Sequence, residues 1–403
     1  MSHKEKTIQA IVAGHLCLDL NPAFAADGGQ SMKDILIPGK LINMGQATLS
    51  TGGAVSNTGI SLRMLGIDTR LMGKIGSDLL GGVVENILRS YGAEDGLIVD
   101  PAASTSYSVV IAPPGVDRIF LHHTGANDTF CTKDLNLDQI AAARLFHFGY
   151  PPLMRQMYAD GGAELARMFQ TVRDLDVTTS LDLALPDPAS AAGQADWQEI
   201  LSRVLPLTDV FLPSLEELLY MLDRPCFDKI KAEAGDRDLM AFYDFSRLPA
   251  LAARLIGMGV KIVVIKLGRR GYYIRTADRS RLAAMGPAKP ADLDNWSSRE
   301  LQIEIFDVRN IASTSGAGDA SIAGFLAGLL TGQTVEMAGQ LACAVASLKI
   351  QVKTSVGGLV PLPEVIARIP GWQKEPLDQD PAYWQYEPSA RVWRGRADRT
   401  FVS

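Results

Sequence analysis

A loop of small residues, Ser313-Thr314-Ser315-Gly316-Ala317-Gly318-Asp319, runs directly into an apolar segment with Ile322, Phe325, Leu326, Leu329 and Leu330 at helical spacing. Such a loop opening a helix exposes unpaired backbone N–H groups at the positive end of the helix dipole, an arrangement able to hold a phosphate. Gly316 and Gly318 let the backbone approach closely. A carboxylate in the first turn would repel a resting phosphate, yet Asp319 could take the proton from a hydroxyl attacking one. The structural alternative is that Asp319 only complements the helix terminus, and a short glycine motif does not separate the two.

Asp19, Asp182, Glu217 and Gly268 each fall just after a run that reads as a strand. Ligands of open α/β sheets lie beyond the carboxy ends of the strands, so one cleft could collect all four. Asp19 and Asn57 offer acceptor and donor groups suited to vicinal hydroxyls, and Gly52 and Gly53 leave room for a polyol against the backbone. A turn-forming Asp19 before Asn21-Pro22 and a helix-terminal Asn57 are the ligand-free readings.

The elements that must position these groups alternate between short β-branched runs and helical patterns, the signature of βαβ units around a mostly parallel sheet. Strands are expected at Ile8–Ala13, Arg70–Lys74, Arg144–Phe148, Val177–Leu181, Asp209–Leu212 and Ile262–Lys266, the last a near-continuous apolar run of the doubly buried kind. The clearest helix spans Asp78–Tyr91, with Gly92 as its stop. Ser106–Ile111 and Arg118–His123 read as a hairpin, and residues 22–50 are extended and turn-rich, so the two pieces could pair into an accessory sheet that acts as a lid. His122 and His123 would point to opposite faces of their strand, a poor metal site, with His123 expected to face the lid interior. The polar segment from Arg224 to about Arg247 reads as a surface insertion, and Arg279–Arg299 as loops. After Pro370 come Trp372, Tyr383, Trp384, Tyr386 and Trp393 without periodicity, aromatics that imply packing on the body or on a partner subunit.

The chain has 403 residues, 47% hydrophobic and 21% charged, the balance of a soluble globular protein with a sizeable core. Lys and Arg total 39 against 45 for Asp and Glu; the net charge of −6 disfavours nucleic-acid or anionic-membrane binding and points to a small-molecule partner. Cys17, Cys131, Cys226 and Cys343 lack metal or disulfide spacing. No signal-peptide pattern opens the chain and no apolar run is long enough to span a bilayer, so the cytoplasm is the expected address. A GxxxxGK[ST] stretch is absent, which argues against a P-loop kinase, and the first strand is not followed by GxGxxG.

Gly316-Ala-Gly-Asp319 with Ala320-Ser-Ile-Ala-Gly-Phe325 is similar to the carboxy-terminal signature of the ribokinase-like (PfkB) family of carbohydrate kinases. Gly52-Gly-Ala-Val-Ser-Asn57, continuing to Leu65-Gly66, resembles that family's amino-terminal signature. Gly14–Asp19, His123–Asp128, Leu181-Asp182, Leu212–Glu217 and Lys266–Gly271 resemble further family stations in the same order, over roughly residues 8–365. The resemblance implies a three-layer α/β/α sandwich with a mostly parallel central sheet and a small β-sheet lid (about 22–50 and 104–125), residues 1–370 forming the kinase domain and 371–403 an aromatic extension. It makes Asp319 the catalytic base and the amides of Gly316, Ala317 and Gly318 the anion hole. Asp19, Gly52, Gly53, Asn57, Asn127 and Asp182 become substrate contacts. Ser214, Glu217, Lys266, Gly268, Gly271 and Thr314 fall to the nucleotide, with Glu217 reaching Mg²⁺ through water.

Two positions depart from the family pattern. Ser214 stands where the family has Asn in Asn-x-x-Glu, and Ser313-Thr314-Ser315 replaces the common Asp-Thr-Thr, removing an acid that helps bind a monovalent cation in many members. Potassium activation is therefore not implied. The expected function is ATP-dependent phosphorylation of a sugar hydroxyl, with ATP and Mg²⁺ as cofactors and a homodimer through the lid. The rivals are a nucleoside kinase of the same fold and a catalytically idle sugar-binding regulatory protein.

Overall fold

The apolar runs of the sequence become strands of one sheet in the computed structural model, which describes residues 6–24, 37–113, 119–235 and 237–401. Strands β1 (Ile8–Gly14), β4 (Thr69–Met72), β9 (Ala143–Gly149), β10 (Thr178–Leu181), β11 (Val210–Phe211) and β12 (Ile262–Lys266) are parallel, in the order β4-β1-β9-β10-β11-β12. Four antiparallel strands extend the β12 side: β13 (Tyr272–Thr276), β14 (Glu300–Ile303), β16 (Val392–Gly395) and β15 (Trp384–Glu387). Alternation along the strands sends Ile11, Phe146 and Val263 to one core and Ala10, Leu145 and Ile262 to the other. Helices cover both faces, among them Ala163–Asp174 and Leu215–Leu222 on the first, Ala317–Leu330 and Val335–Lys349 on the second. The result is a three-layer α/β/α sandwich.

Helix Ala317–Leu330 is buried from Asp319 to its end, which its all-round apolar sequence requires. Each fully buried side chain such as Phe325 contributes about 1.5–3 kcal/mol over exposure, so the loop at its amino end is fixed to the core. The chain continues from β1 to β4 on one side and from β9 to β10 on the other, and this reversal opens a crevice at the carboxy ends of β1 and β9, where Gly14 and Gly149 are paired.

The smaller sheet has the order β3-β2-β7-β8, from β2 (Cys17–Asn21), β3 (Thr48–Gly52), β7 (Tyr107–Ile111) and β8 (Ile119–His123). It begins earlier than expected, at Cys17. Residues 25–36 of the expected lid and the hairpin turn 114–118 lie outside the described residues. The run expected at Arg70–Lys74 ends at Met72, and β5 (Lys74–Gly76) pairs instead with β6 (Ile98–Asp100) in a separate ribbon. Helix Leu79–Ser90 starts where the Asp78 side chain accepts the Gly81 N–H.

One expectation needs correction, and two gain detail. Arg279–Arg299 is not all loop: Asp278 and Asp292 cap two short helices, Arg279–Ala283 and Leu293–Trp296. The segment after Arg224 forms a helix, Arg224–Ala234, and its end borders the main cleft. Residues beyond 370 hold β15 and β16, so the tail completes the sheet beside β14, with Asp398 pairing Arg299 at 2.8 Å inside the core. The tail's aromatic strands were too short to show a period of two.

Candidate active site

Helix Ala317–Leu330 begins at Gly316, whose positive φ of 73° turns the chain into the helix and suits only glycine at low cost. Of the three amides at the loop, that of Ala317 donates back to the Thr314 carbonyl at 3.2 Å. Of the three amides expected to hold an anion, this leaves those of Gly316 and Gly318 without such a bond among the described residues. Both glycines, with Thr314 and Asp319, line a cleft of about 1360 Å³ beyond the carboxy ends of β9 to β12.

Asp319 is only 3% exposed, and its carboxylate is held from two sides. From helix Ala54–Met64, Asn57 Nδ2 donates to Oδ2 at 3.0 Å and Thr58 Oγ1 to Oδ1 at 3.4 Å. From the end of β9, the Tyr150 hydroxyl donates to Oδ1 and Oδ2 at 2.9 and 2.8 Å. Burial pushes the Asp319 pKa up, while Tyr150, Asn57, the Lys266 charge and Thr58 pull it back toward the ionised form. Asn57 keeps its Oδ1 buried and without a hydrogen-bond partner among the described residues, an acceptor waiting for a donor.

Asp182, after β10, and Lys266, ending β12, meet at 2.6 Å on the cleft wall. Burial pushes Asp182 up, the Lys266 ammonium pulls it down, and the carboxylates of Glu217 and Asp319 push it up again. Lys266 is held protonated because Asp182, Glu217 and Asp319 together outweigh its burial. Its chain runs close to Gly318, since a Cβ there would sit 3.9 Å from Lys266 Cδ. Ser214 and Glu217 form a reciprocal capping box at the start of helix Leu215–Leu222: Ser214 Oγ accepts the Glu217 N–H at 3.2 Å, and Glu217 Oε2 accepts the Ser214 N–H at 2.7 Å. Among the described residues no group of three or more His, Cys, Asp or Glu side chains forms a metal cage.

On the lid side, Asp19 lies on β2 rather than at the end of the first main strand. Its carboxylate fits against Gly52, where a Cβ would collide with it, and burial raises its pKa to about 6 against hydrogen bonds from Cys17 and Ser108. Gly53 is the N-cap residue of helix Ala54–Met64. His122, not His123, turns inward: its Nε2 lies 3.3 Å from His15 Nε2, while His123 bonds Ser104. Burial and His122 lower the His15 pKa to about 3, so the ring is neutral, and its Nδ1 has no partner among the described residues.

Two expected site residues stand elsewhere. Asn127 is fully buried and its amide clasps Leu16, accepting from the Leu16 N–H at 3.2 Å and donating to the Leu16 carbonyl at 3.0 Å. It shapes the turn between β1 and β2, and it does not line the cleft. Gly271 is buried against the Ile303 carbonyl of β14, whereas Gly268 is exposed at the cleft. Sequence reasoning missed Tyr150, Thr58 and His15, and also Lys231 and Arg237, which border the cleft from the segment after Arg224. Tyr150 was within reach: it directly follows a strand, as Asp182 does.

The fold and the ordered motifs of this chain have counterparts among known proteins. The pfkB family carbohydrate kinase model matches residues 30–360. The chain belongs to that family. Its members are phosphotransferases with an alcohol group as acceptor. Relatives include a sugar kinase of Archaeoglobus fulgidus, 25% identical over 292 residues, covering 72% of this chain and 95% of the relative. A 5-dehydro-2-deoxygluconokinase of Listeria monocytogenes is 22% identical over 372 residues, covering 91% and 97%. The structure of Arabidopsis thaliana ribokinase complexed with ribose and ATP shares the fold at a TM-score of 0.63 and 18% identity, covering 90% of this chain and 98% of that one.

Proposed function

We propose that this PfkB-family protein transfers the γ-phosphoryl group of ATP to a hydroxyl of a sugar or related polyol, with Asp319 as the base. The observation that carries the reading is the buried Asp319 carboxylate in the first turn of a helix whose amino end opens on the cleft. Asp319 accepts the hydroxyl proton as the phosphoryl group moves, and the Gly316 and Gly318 amides take up charge developing on its oxygens. Asp19, the unpaired Asn57 Oδ1 and His15 Nδ1 would receive and orient acceptor hydroxyls, with Gly52 keeping the Asp19 carboxylate in reach. Lys266, Thr314 and Gly268 border the space left for the nucleotide phosphates.

Magnesium brought by the nucleotide would offset the charge of its phosphates. Glu217 suits it through water: Oε2 is committed to the capping box, Oε1 has no hydrogen bond among the described residues, and the side chain faces the cleft. Ser214 completes that box, which supports a working Glu217 despite the departure from the family's Asn. The test is phosphate transfer from ATP across a panel of sugars and nucleosides, repeated with Asp319→Asn, with the fold checked by circular dichroism. Turnover should fall by about 10²–10⁴-fold, the usual worth of a general base. Near-parental turnover in the variant would remove Asp319 from the mechanism.

A further inference from the structure

Tyr150 holds an unusual backbone conformation for a non-glycine residue, φ 67° and ψ 45°, at the point where β9 ends and Pro151-Pro152 begins. Such a conformation persists where surrounding contacts impose it. The outcome is a phenol aimed between both oxygens of Asp319, at 2.9 and 2.8 Å. Asn57 and Thr58 approach the same carboxylate from helix Ala54–Met64, whereas Tyr150 borders the cleft with Asp319 and its ring centroid lies 6.0 Å from that of His15, one of the groups assigned to the acceptor. The phenol therefore occupies the side of the carboxylate from which an acceptor hydroxyl must arrive, and it makes there the bond that hydroxyl would make: an O–H donated to a carboxylate oxygen.

We propose that Tyr150 is a positioning residue that stands in for the acceptor, its phenol capping the Asp319 carboxylate in the empty site and ceding that place when the acceptor hydroxyl binds. The inference rests on the reading of Asp319 as the base. The groups facing this pair are Asn57 and Thr58 from helix Ala54–Met64, the Lys266 ammonium, the Asp182 and Glu217 carboxylates, and the His15 ring beside Tyr150, which burial keeps neutral. Tyr150 itself stays protonated, because burial and those three acids, Asp319 foremost, push its phenol well above the ordinary tyrosine range. It can donate a hydrogen bond throughout the working pH range but cannot act as an alternative base.

Tyr150→Phe removes the O–H and keeps the ring. In the free enzyme the carboxylate loses a donor that favours its ionised form, so the acid limb of kcat/KM, which reports the free enzyme, should move up by about one pH unit. The acid limb of kcat reports the acceptor-bound enzyme, from which the phenol has already withdrawn, and should stay where it is. Any titration of Asp19 enters parent and variant alike. A kcat/KM limb that does not move, or two limbs that move together, overturns the proposal, and a role in packing alone shifts neither. Without turnover, the same bond is read from melting temperature: the gap between parent and Tyr150→Phe should widen as pH rises, because a carboxyl with a raised pKa loses folded-state stability with rising pH. The gap should be constant in an Asp319→Asn background. If Asp319→Asn keeps parental turnover, the base assignment fails; if it is inactive while Tyr150→Phe leaves the kcat/KM limb in place, the Tyr150 inference fails alone.

Discussion

Replacing Lys266 with Met keeps most of the buried stem and removes one charge, and the consequence can be worked from the cleft wall. Asp182 is 1% exposed and its nearest cation is Lys266 at 2.6 Å. With the ammonium in place burial already raises the Asp182 pKa to about 8, Lys266 pulling it down and Glu217 and Asp319 pushing it up. Once the ammonium is gone only the raising influences remain, so the carboxyl keeps its proton to a higher pH. At pH 7 both proteins fold with Asp182 protonated; at pH 9 the parent carboxyl is ionised beside Lys266 while the variant still holds its proton. Each pH unit in which only the variant holds that proton costs it about 1.4 kcal/mol relative to the parent. The sign follows from proton counting: above the parent's pKa the folded variant binds one more proton than the folded parent, so the stability gap between them widens as pH rises. Urea unfolding of parent and Lys266→Met at pH 7 and pH 9 measures the gap, which should widen by about 1.4 kcal/mol. A second variant carrying Lys266→Met and Asp182→Asn should show no such widening, because nothing is left to titrate. An unchanged gap at pH 7 and pH 9 in the single variant would refute the argument.

Asn127→Leu deprives the buried Leu16 N–H and carbonyl of their partners and should cost about 3 kcal/mol in stability; acceptor KM, measured well below the melting temperature, should change less than about two-fold, whereas a substrate contact worth a hydrogen bond would raise it roughly tenfold. Asp19, with its pKa raised to about 6, should accept acceptor hydroxyls best when ionised, so acceptor KM should climb as pH drops through that value. Asp19→Asn should give a high KM with no such climb, and a flat parental profile would exclude the contact.

The parts of this molecule that were legible in the sequence are those enforced by local chemistry. Strand β12 is a run of β-branched residues that only a doubly covered sheet can bury, and the helix after Asp319 is apolar on every side. Asp78, Asp278 and Asp292 announce helix starts by the same capping chemistry, yet the two later ones open helices too short to show a period. β15 and β16 were hidden because each has only four residues, and the ladder of β16 with β14 bridges about ninety residues of chain. Asn127 misled for a related reason: an amide that clasps a backbone turn and an amide that binds a hydroxyl present the same residue type. Only the Leu16 peptide, 111 residues away, tells them apart.

The site's electrostatics were less legible than its motifs, because charge balance is a property of neighbours rather than of spacing. Asp182, Glu216, Glu217, Asp238 and Asp319 border one cleft against Lys231, Arg237 and Lys266, five acids to three cations. Each acid separately reads as a ligand contact. Around Asp319 the balance is sharper, with the Asp182 and Glu217 carboxylates acting on the same Lys266, which is paired to Asp182 at 2.6 Å. The same balance explains why Asp319 is so heavily hydrogen-bonded. A buried acid beside two others would take up a proton and cease to be a base unless donors favoured its ionised form, and Asn57, Thr58 and Tyr150 provide them.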